Sequence, residues 1–109
     1  MLLTTVQDFA VPVLKVLDAL DGRAWITELH AKFYEMFGRQ LDPAVKDWNQ
    51  PTKNNYRNGQ YDMKWQDYCG TRVAYSYLKP GEYITAKRHG RRGTIYILTA
   101  KGRAKAREA

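Results

Sequence analysis

The strongest local pattern in this sequence is a β-hairpin close to its end. Residues 82–88 alternate in character, and residues 94–99 are rich in β-branched and aromatic side chains, both of which are typical of strands. Residues 89–93 between them contain two glycines and predict a turn. The side chains in or beside this turn are strongly basic: Lys87, Arg88, His89, Arg91 and Arg92. The fold must therefore include a small antiparallel sheet that presents a cationic turn.

Two helices with a short strand between them are predicted ahead of the hairpin. Apolar residues three and four positions apart indicate a helix over residues 8–20, with Asp8 as its N-cap. The partly apolar stretch 23–26 favours one short strand. A second helix is predicted over residues 28–37, with Thr27 as its cap. Both helices are followed by a glycine, which is a common stop signal.

A third helix is predicted over residues 62–79, between a capping Asp62 and a terminating Pro80-Gly81. Its apolar face has a spacing of four residues: Trp65, Cys69, Val73 and Tyr77. Gly70 lies within this helix, where glycine costs about 1 kcal/mol relative to alanine. It therefore indicates a close backbone approach, either to another helix or to a phosphate.

Residues 39–61 form a polar segment between the second and third helices. Asp42-Pro43 predicts a short helix, after which residues 49–60 are almost entirely turn-forming and polar. A polar loop of this length within a compact domain is more often functional or mobile than inert. Its asparagines, Lys53 and Arg57 are side-chain types that contact bases and phosphates.

This order of elements predicts an α+β fold, a winged helix-turn-helix with a three-helix core and a C-terminal β-hairpin wing. We expect one domain over residues 1–109, since chains of about 100–200 residues usually form one. Residues 39–61 would be an inserted polar loop with a short helix, and residues 100–109 a short basic tail that could include a helical turn. In this architecture the third helix enters the major groove of DNA, and the wing contacts the backbone or the minor groove.

The distribution of charge favours nucleic acid as the partner. The chain has 18 lysines and arginines against 11 acidic residues, and its isoelectric point is near 9.6. Residues 1–50 have a net charge of −2, whereas residues 51–109 have a net charge of +9. A basic half of this kind is typical of proteins that bind polyanions, although solubility alone would also account for it.

Part of the sequence resembles a known family. Residues 73–81 and 93–103, together with residues 11–17, resemble the N-terminal winged-helix domain of Mrr-type restriction endonucleases. The chain departs from that pattern at Val73, where the family often has tryptophan, and in the more polar segment 49–61. The resemblance implies DNA binding without cleavage, because no nuclease domain follows. It also leaves open the recognition of modified bases.

The predicted contacts divide into cations for phosphates and polar side chains for base edges. The phosphate-binding candidates are Lys87, Arg88, Arg91, Arg92, Lys53, Arg57, Lys64 and Arg72. The base-readout candidates are Gln66, Thr71, Tyr75, Asn54 and Asn55. Double-stranded DNA is the expected partner, for a transcriptional regulator or for the recognition module of a restriction system. A homodimer is expected if the target is a palindrome.

Two other functions remain open. Eight of the fourteen aromatic residues fall within residues 48–83. Trp65, Tyr77 and Tyr83 have core spacing, whereas Trp48, Tyr56 and Tyr61 do not, so a pocket for a methylated or flipped base is an alternative. A winged-helix domain that binds another protein is the other alternative. Such a module would bind DNA weakly and without sequence preference.

An enzyme is not expected from this sequence. The acidic residues of the basic half are too few and scattered for a nuclease metal site, and Cys69 lacks a partner for nucleophilic catalysis. His30 has no second ligand at metal-binding spacing, so neither a metal nor a cofactor is expected. The single cysteine and the lack of signal-peptide and membrane-span patterns predict a cytoplasmic, nucleoid-associated protein.

Overall fold

The structure is a computed structural model that describes residues 2–46, 56–57, 60–61 and 64–108. It is α+β. Five helices lie within the described residues: α1 Ala10–Ala19, α2 Ile26–Phe37, α3 Pro43–Lys46, α4 Lys64–Asp67 and α5 Ala100–Ala106. A 3₁₀ turn, Val6–Phe9, precedes α1, and α4 continues as two π-helical segments, Tyr68–Arg72 and Ala74–Leu78. None of the helices in these ranges is long and apolar enough to cross a membrane.

The strands form two antiparallel sheets. β1 Arg23–Trp25, β4 Ile84–Arg88 and β5 Thr94–Leu98 form a three-stranded sheet in the order β1-β5-β4. The hairpin and the short strand predicted from the sequence are therefore confirmed. β2 Tyr56–Arg57 and β3 Gln60–Tyr61 pair with each other in the segment that was predicted to be a loop.

The first two helices begin at other residues than the sequence indicated. Thr5, not Asp8, caps the turn before α1, and the Asp8 carboxylate accepts hydrogen bonds from the backbone N–H groups of Thr4 and Thr5 at 3.0 and 2.9 Å. α2 begins at Ile26, so Thr27 lies inside it and is not its cap. Instead, Glu28 reaches back and accepts from the Trp25 N–H at 3.0 Å. In both helices the acidic residue acts from within the first turn, as in a capping box.

One hydrophobic core unites the helices with one face of the sheet. Phe9 and Phe33 stack at its centre with ring centroids 5.4 Å apart. The buried residues of α1 and α2 are Val13, Leu14, Val16, Leu17, Ile26, Leu29 and Phe33. From the sheet, Ala24, Ile84, Tyr96 and Leu98 complete this core.

The third helix departs from the predicted periodicity at its end. Tyr77 was predicted to be buried but is 43% exposed, whereas Leu78 is buried. The π-helical geometry explains this change, because the Lys79 N–H donates to the Ala74 carbonyl five residues earlier, at 2.8 Å. In a π-helical turn the next buried residue comes one position later in the sequence than it would in an α-helix.

Contacts with α2 and β5 accompany the π-helical segments. His30 Nε2 donates to the Gln66 carbonyl at 3.0 Å, and the Tyr96 hydroxyl donates to the Gly70 carbonyl. A Cβ on Gly70 would lie 2.6 Å from His30 Nε2 and 3.2 Å from Ile26 Cδ1. Gly70 predicted a close backbone approach either to another helix or to a phosphate. The structure contains the approach to a helix, α2.

The expected basic tail is a docked helix. α5 packs against α1, with Ala106 and Gly102 buried. Thr99 caps α5 by accepting from the Gly102 N–H at 3.0 Å, while its own hydroxyl donates to the Glu82 carbonyl at 2.7 Å. The sequence indicated no more than a helical turn here, because the apolar face of this helix consists of glycine and alanine, which make no recognisable stripe.

Candidate nucleic-acid interface

The turn end of the hairpin carries four exposed lysines and arginines and one exposed histidine. We call Lys87, Arg88, His89, Arg91 and Arg92 the basic tip, all of which are exposed. Lys87 and Arg88 end β4, and Arg91 and Arg92 lie in the 3₁₀ turn Gly90–Arg92. Within the part of the chain that the structure describes, none of these lysines and arginines forms an ion pair or a side-chain hydrogen bond. Their positive charge is therefore available to an external anion.

Backbone geometry holds the basic tip in a defined turn. The His89 N–H donates to the Gly93 carbonyl at 2.8 Å, and the Arg92 N–H donates to the His89 carbonyl at 3.1 Å. Gly93 has a φ of 87°, which side-chain-bearing residues rarely adopt. The ring of Trp25 packs edge-on against the ring of His89 with centroids 5.4 Å apart. The turn thus rests on β1 rather than projecting freely.

The turn of the hairpin and the first π-helical segment after α4 both approach the Ile26 side chain. A Cβ on Gly93 would lie 3.5 Å from Ile26 Cγ2, and a Cβ on Gly70 would lie 3.2 Å from Ile26 Cδ1. Ile26, the first residue of α2 and only 3% exposed, therefore lies between the two elements that the sequence assigned to DNA contact.

The exposed face of α4 and its π-helical extension is aromatic and cationic. Its exposed residues are Arg72, Tyr75, Ser76, Tyr77 and Lys79. The Lys79 ammonium lies 5.3 Å from the centre of the Tyr75 ring. Tyr75 was a base-readout candidate and is exposed, as such a role requires. Lys79 was not among the candidates, although its position next to the helix end could have indicated it.

Arg72 differs from the cations of the basic tip because a buried acid holds it. Its Nε donates to Asp67 Oδ2 at 2.9 Å, and Asp67 is only 6% exposed. Loss of one partner from a pair with a buried member is costly, so this contact orders the Arg72 side chain. The terminal guanidinium nitrogens form no ion pair with the described residues. Arg72 can therefore present them in one direction. The sequence spacing of five residues did not reveal the pairing.

The remaining candidates are less exposed or lie outside the described side chains. Gln66 and Thr71 are half-buried rather than on the outer face of the helix. Lys53, Asn54, Asn55 and Trp48 lie outside the described residues. Tyr56 and Tyr61, like Arg57 and Lys64, are described by their backbone alone.

A cleft of about 340 Å³ lies between α2 and α4. The residues that line it are Thr27, His30, Ala31, Tyr34, Trp65 and Gln66. The rings of Tyr34 and Trp65 are 5.4 Å apart and inclined at 42°. The sequence did not indicate this cleft. Trp65 has the spacing of a core residue, which its burial confirms, and Tyr34 lies outside the apolar face predicted for the second helix. The spacing of four between His30 and Tyr34 was the one signal of a second aromatic face on α2.

Comparison of the chain with protein-family models, curated proteins and solved structures found no significant match. The resemblance to Mrr-type winged-helix domains and the binding of DNA therefore stay predictions.

Proposed function

We propose that this protein binds double-stranded DNA as a winged helix-turn-helix domain. The β4–β5 hairpin would be the wing, with its basic tip on the phosphate backbone or in the minor groove, and α4 with its extension would lie in the major groove. The observation that carries this proposal is the basic tip, because its four lysines and arginines form no ion pair with the described residues and lie in or directly beside one braced turn. Each phosphate that they neutralise would release a condensed counterion.

The surface next to the basic tip supports the same function. Arg72, oriented by Asp67, and Lys79 add two cations to the exposed face of α4. Tyr75 and Ser76 on that face are amphipathic or polar and can contact base edges or sugars. The single acid of this stretch, Asp67, is buried against Arg72, so it adds little repulsion towards phosphates. A transcriptional regulator or the recognition module of a restriction system would use such a surface.

The first experiment measures the salt dependence of binding by fluorescence anisotropy, with a random-sequence duplex as the probe. Wild type is compared with the double variant Arg91→Ala/Arg92→Ala. We expect weaker binding by the variant and a plot of log affinity against log salt that is shallower by about two, since each lost phosphate contact lowers the slope by about one. Selection of a target sequence would follow.

A matched control is the double variant Arg103→Ala/Arg107→Ala, which lowers the net charge by the same amount. Because both arginines pair with Asp18, we expect this variant to retain the wild-type slope. Equal losses in the two variants would mean that net charge alone attracts DNA. Absence of wild-type binding at low salt would reject DNA as the partner and favour a protein-interaction module, for which the exposed tyrosines Tyr75 and Tyr77 would be the first surface to test.

A further inference from the structure

The cleft between α2 and α4 has aromatic walls that are held in fixed positions. Trp65 is 5% exposed and packs against Phe33 and His30, with ring centroids 6.1 and 6.0 Å away. Tyr34 is 46% exposed, yet its ring lies against Trp65 and close to Gly38, where a Cβ would stand 3.3 Å from the ring. These contacts hold the exposed ring of Tyr34 in place with Trp65 buried behind it, which lowers the entropic cost of binding a flat ligand.

The polar groups of the cleft favour a neutral ring with hydrogen-bonding edges. The described residues that line the cleft include no lysine, arginine or acid, so the lining itself favours an uncharged ring. The exposed hydroxyl of Thr27 lies in the same lining and can donate to or accept from the edge of such a ring. The cleft volume, about 340 Å³, lies at the small end of the range of roughly 300–1,000 Å³ for ligand pockets.

The cleft lies close to the basic tip. Thr27, at one end of the cleft, is two residues from Trp25, and Trp25 packs on His89 of the basic tip. The Lys46 ammonium lies 5.7 Å from the centre of the Tyr34 ring on the other side. A nucleic-acid backbone bound to the basic tip would therefore pass near the cleft, with a further cation beyond it.

We propose that this cleft receives a single unstacked base from a nucleic acid whose backbone lies on the basic tip. This inference rests on the proposed DNA binding and adds to it a site for one base. The cations around the cleft favour a nucleic acid over an uncharged peptide as the source of the ring. Aromatic side chains bind bases by stacking irrespective of sequence, so the site selects for an unpaired base rather than for a particular one.

The test compares two duplexes that differ by one base. The first is fully paired, and the second carries one unpaired 2-aminopurine as a bulge. We expect wild type to bind the bulged duplex roughly five- to a hundredfold more tightly, the range that stacking of one base supplies. The 2-aminopurine fluorescence should be quenched on binding, since the base would stack on Tyr34.

Two variants locate the effect in the cleft. Tyr34→Ala removes one wall, and Ala31→Leu fills the cleft without removing an aromatic ring. Both should bind the paired duplex like wild type and lose the preference for the bulge. The control is Met36→Ala, which removes an exposed side chain of α2 that is not among the residues lining the cleft and should retain the preference.

The outcomes separate this inference from the proposed function. If wild type binds both duplexes equally, the base site is wrong and DNA binding stands. If the preference persists in both cleft variants, the base binds elsewhere and the inference is likewise overturned. If neither duplex binds, the proposed function fails and the base site fails with it.

Discussion

The basic tip and the end of the chain carry equal numbers of lysines and arginines, but these cations differ in what they contact. In the tip, Lys87, Arg88, Arg91 and Arg92 form no ion pair within the described residues. At the end of the chain, Arg107 forms two hydrogen bonds with Asp18 at 3.0 and 3.1 Å, and Arg103 lies 3.6 Å from the same carboxylate. Lys105 pairs with Glu108 at 3.0 Å, and Lys101 donates to the Gly81 carbonyl at 2.9 Å.

The comparison shows that charge in a sequence and charge available for binding are different quantities. A cation that already has an internal partner gains less from a phosphate, because that contact must be given up or shared. The cations of α5 and Arg107 join the end of the chain to α1 and to the turn before β4. The cations of the basic tip join nothing in the described structure. The cations at the end of the chain therefore stabilise the fold, whereas the equal number in the basic tip can bind a ligand.

The largest expected effect comes from adding a methyl group where α5 docks. In Gly102→Ala the new Cβ would overlap the Tyr83 carbonyl oxygen, which belongs to the backbone and cannot turn away. We expect unfolding free energy to fall by about 2 kcal/mol or more, since overpacking typically costs about 1–3 kcal/mol. Urea titration measures the change. Arg91→Ala in the basic tip is the control and should remain within about 0.5 kcal/mol of wild type. Equal stability of Gly102→Ala and wild type would show that α5 is not docked as described.

Acid should lower the stability of the fold through Asp18, which binds the end of the chain, and through Asp8. The basic tip should not contribute to this loss. The hydrogen bond from Arg107 holds the pKa of Asp18 below its ordinary value of 3.8, and backbone N–H groups of Thr5 and Thr4 lower the pKa of Asp8. Because both carboxylates are favoured in their charged form in the folded state, their contribution to stability is present above their unfolded pKa. It is lost as the pH falls through the folded values.

Melting temperatures measured between about pH 6 and pH 2 test this dependence. Asp18→Asn should lose stability less steeply on acidification than wild type, with the remaining loss due in part to Asp8. Arg91→Ala should follow the wild-type curve. An Asp18→Asn curve parallel to that of wild type would mean that the contact with Arg107 does not stabilise the fold.

The smallest expected effect is a gain in DNA affinity when the arginines at the end of the chain lose their internal partner. Asp18→Asn removes the carboxylate that holds Arg103 and Arg107 but leaves both arginines in place. We expect the low-salt affinity for a random duplex to rise by about two- to threefold, since each freed cation can contribute a non-specific phosphate contact. Fluorescence-anisotropy titration measures this affinity, with Asp8→Asn as a control that removes an equal charge. An unchanged affinity would indicate that position, rather than pairing, keeps these cations from DNA.

Local signals were sufficient for the main elements of the fold. Alternation along the strands, the glycines of the turn and the apolar spacing of α1 and α2 each depend on residues within about one turn of each other. The hairpin, β1 and the glycine-marked ends of both helices were therefore predicted correctly. The helix caps were misplaced by a few residues because side chains of Asp8 and Glu28 reach back across the first turn.

Contacts between residues far apart in the sequence decided the rest. Helix α4 adopts π-helical turns where His30 and Tyr96 reach its carbonyls from other elements, and this exposes Tyr77. The pairing of Arg107 with Asp18 spans 89 positions, so no local pattern could reveal which basic segment is engaged internally. The sequence by itself determined α1, α2, β1 and the β4–β5 hairpin, together with the sign of the charge. Only the tertiary structure decided which cations are free and where an aromatic cleft opens, because both depend on which side chains packing brings together.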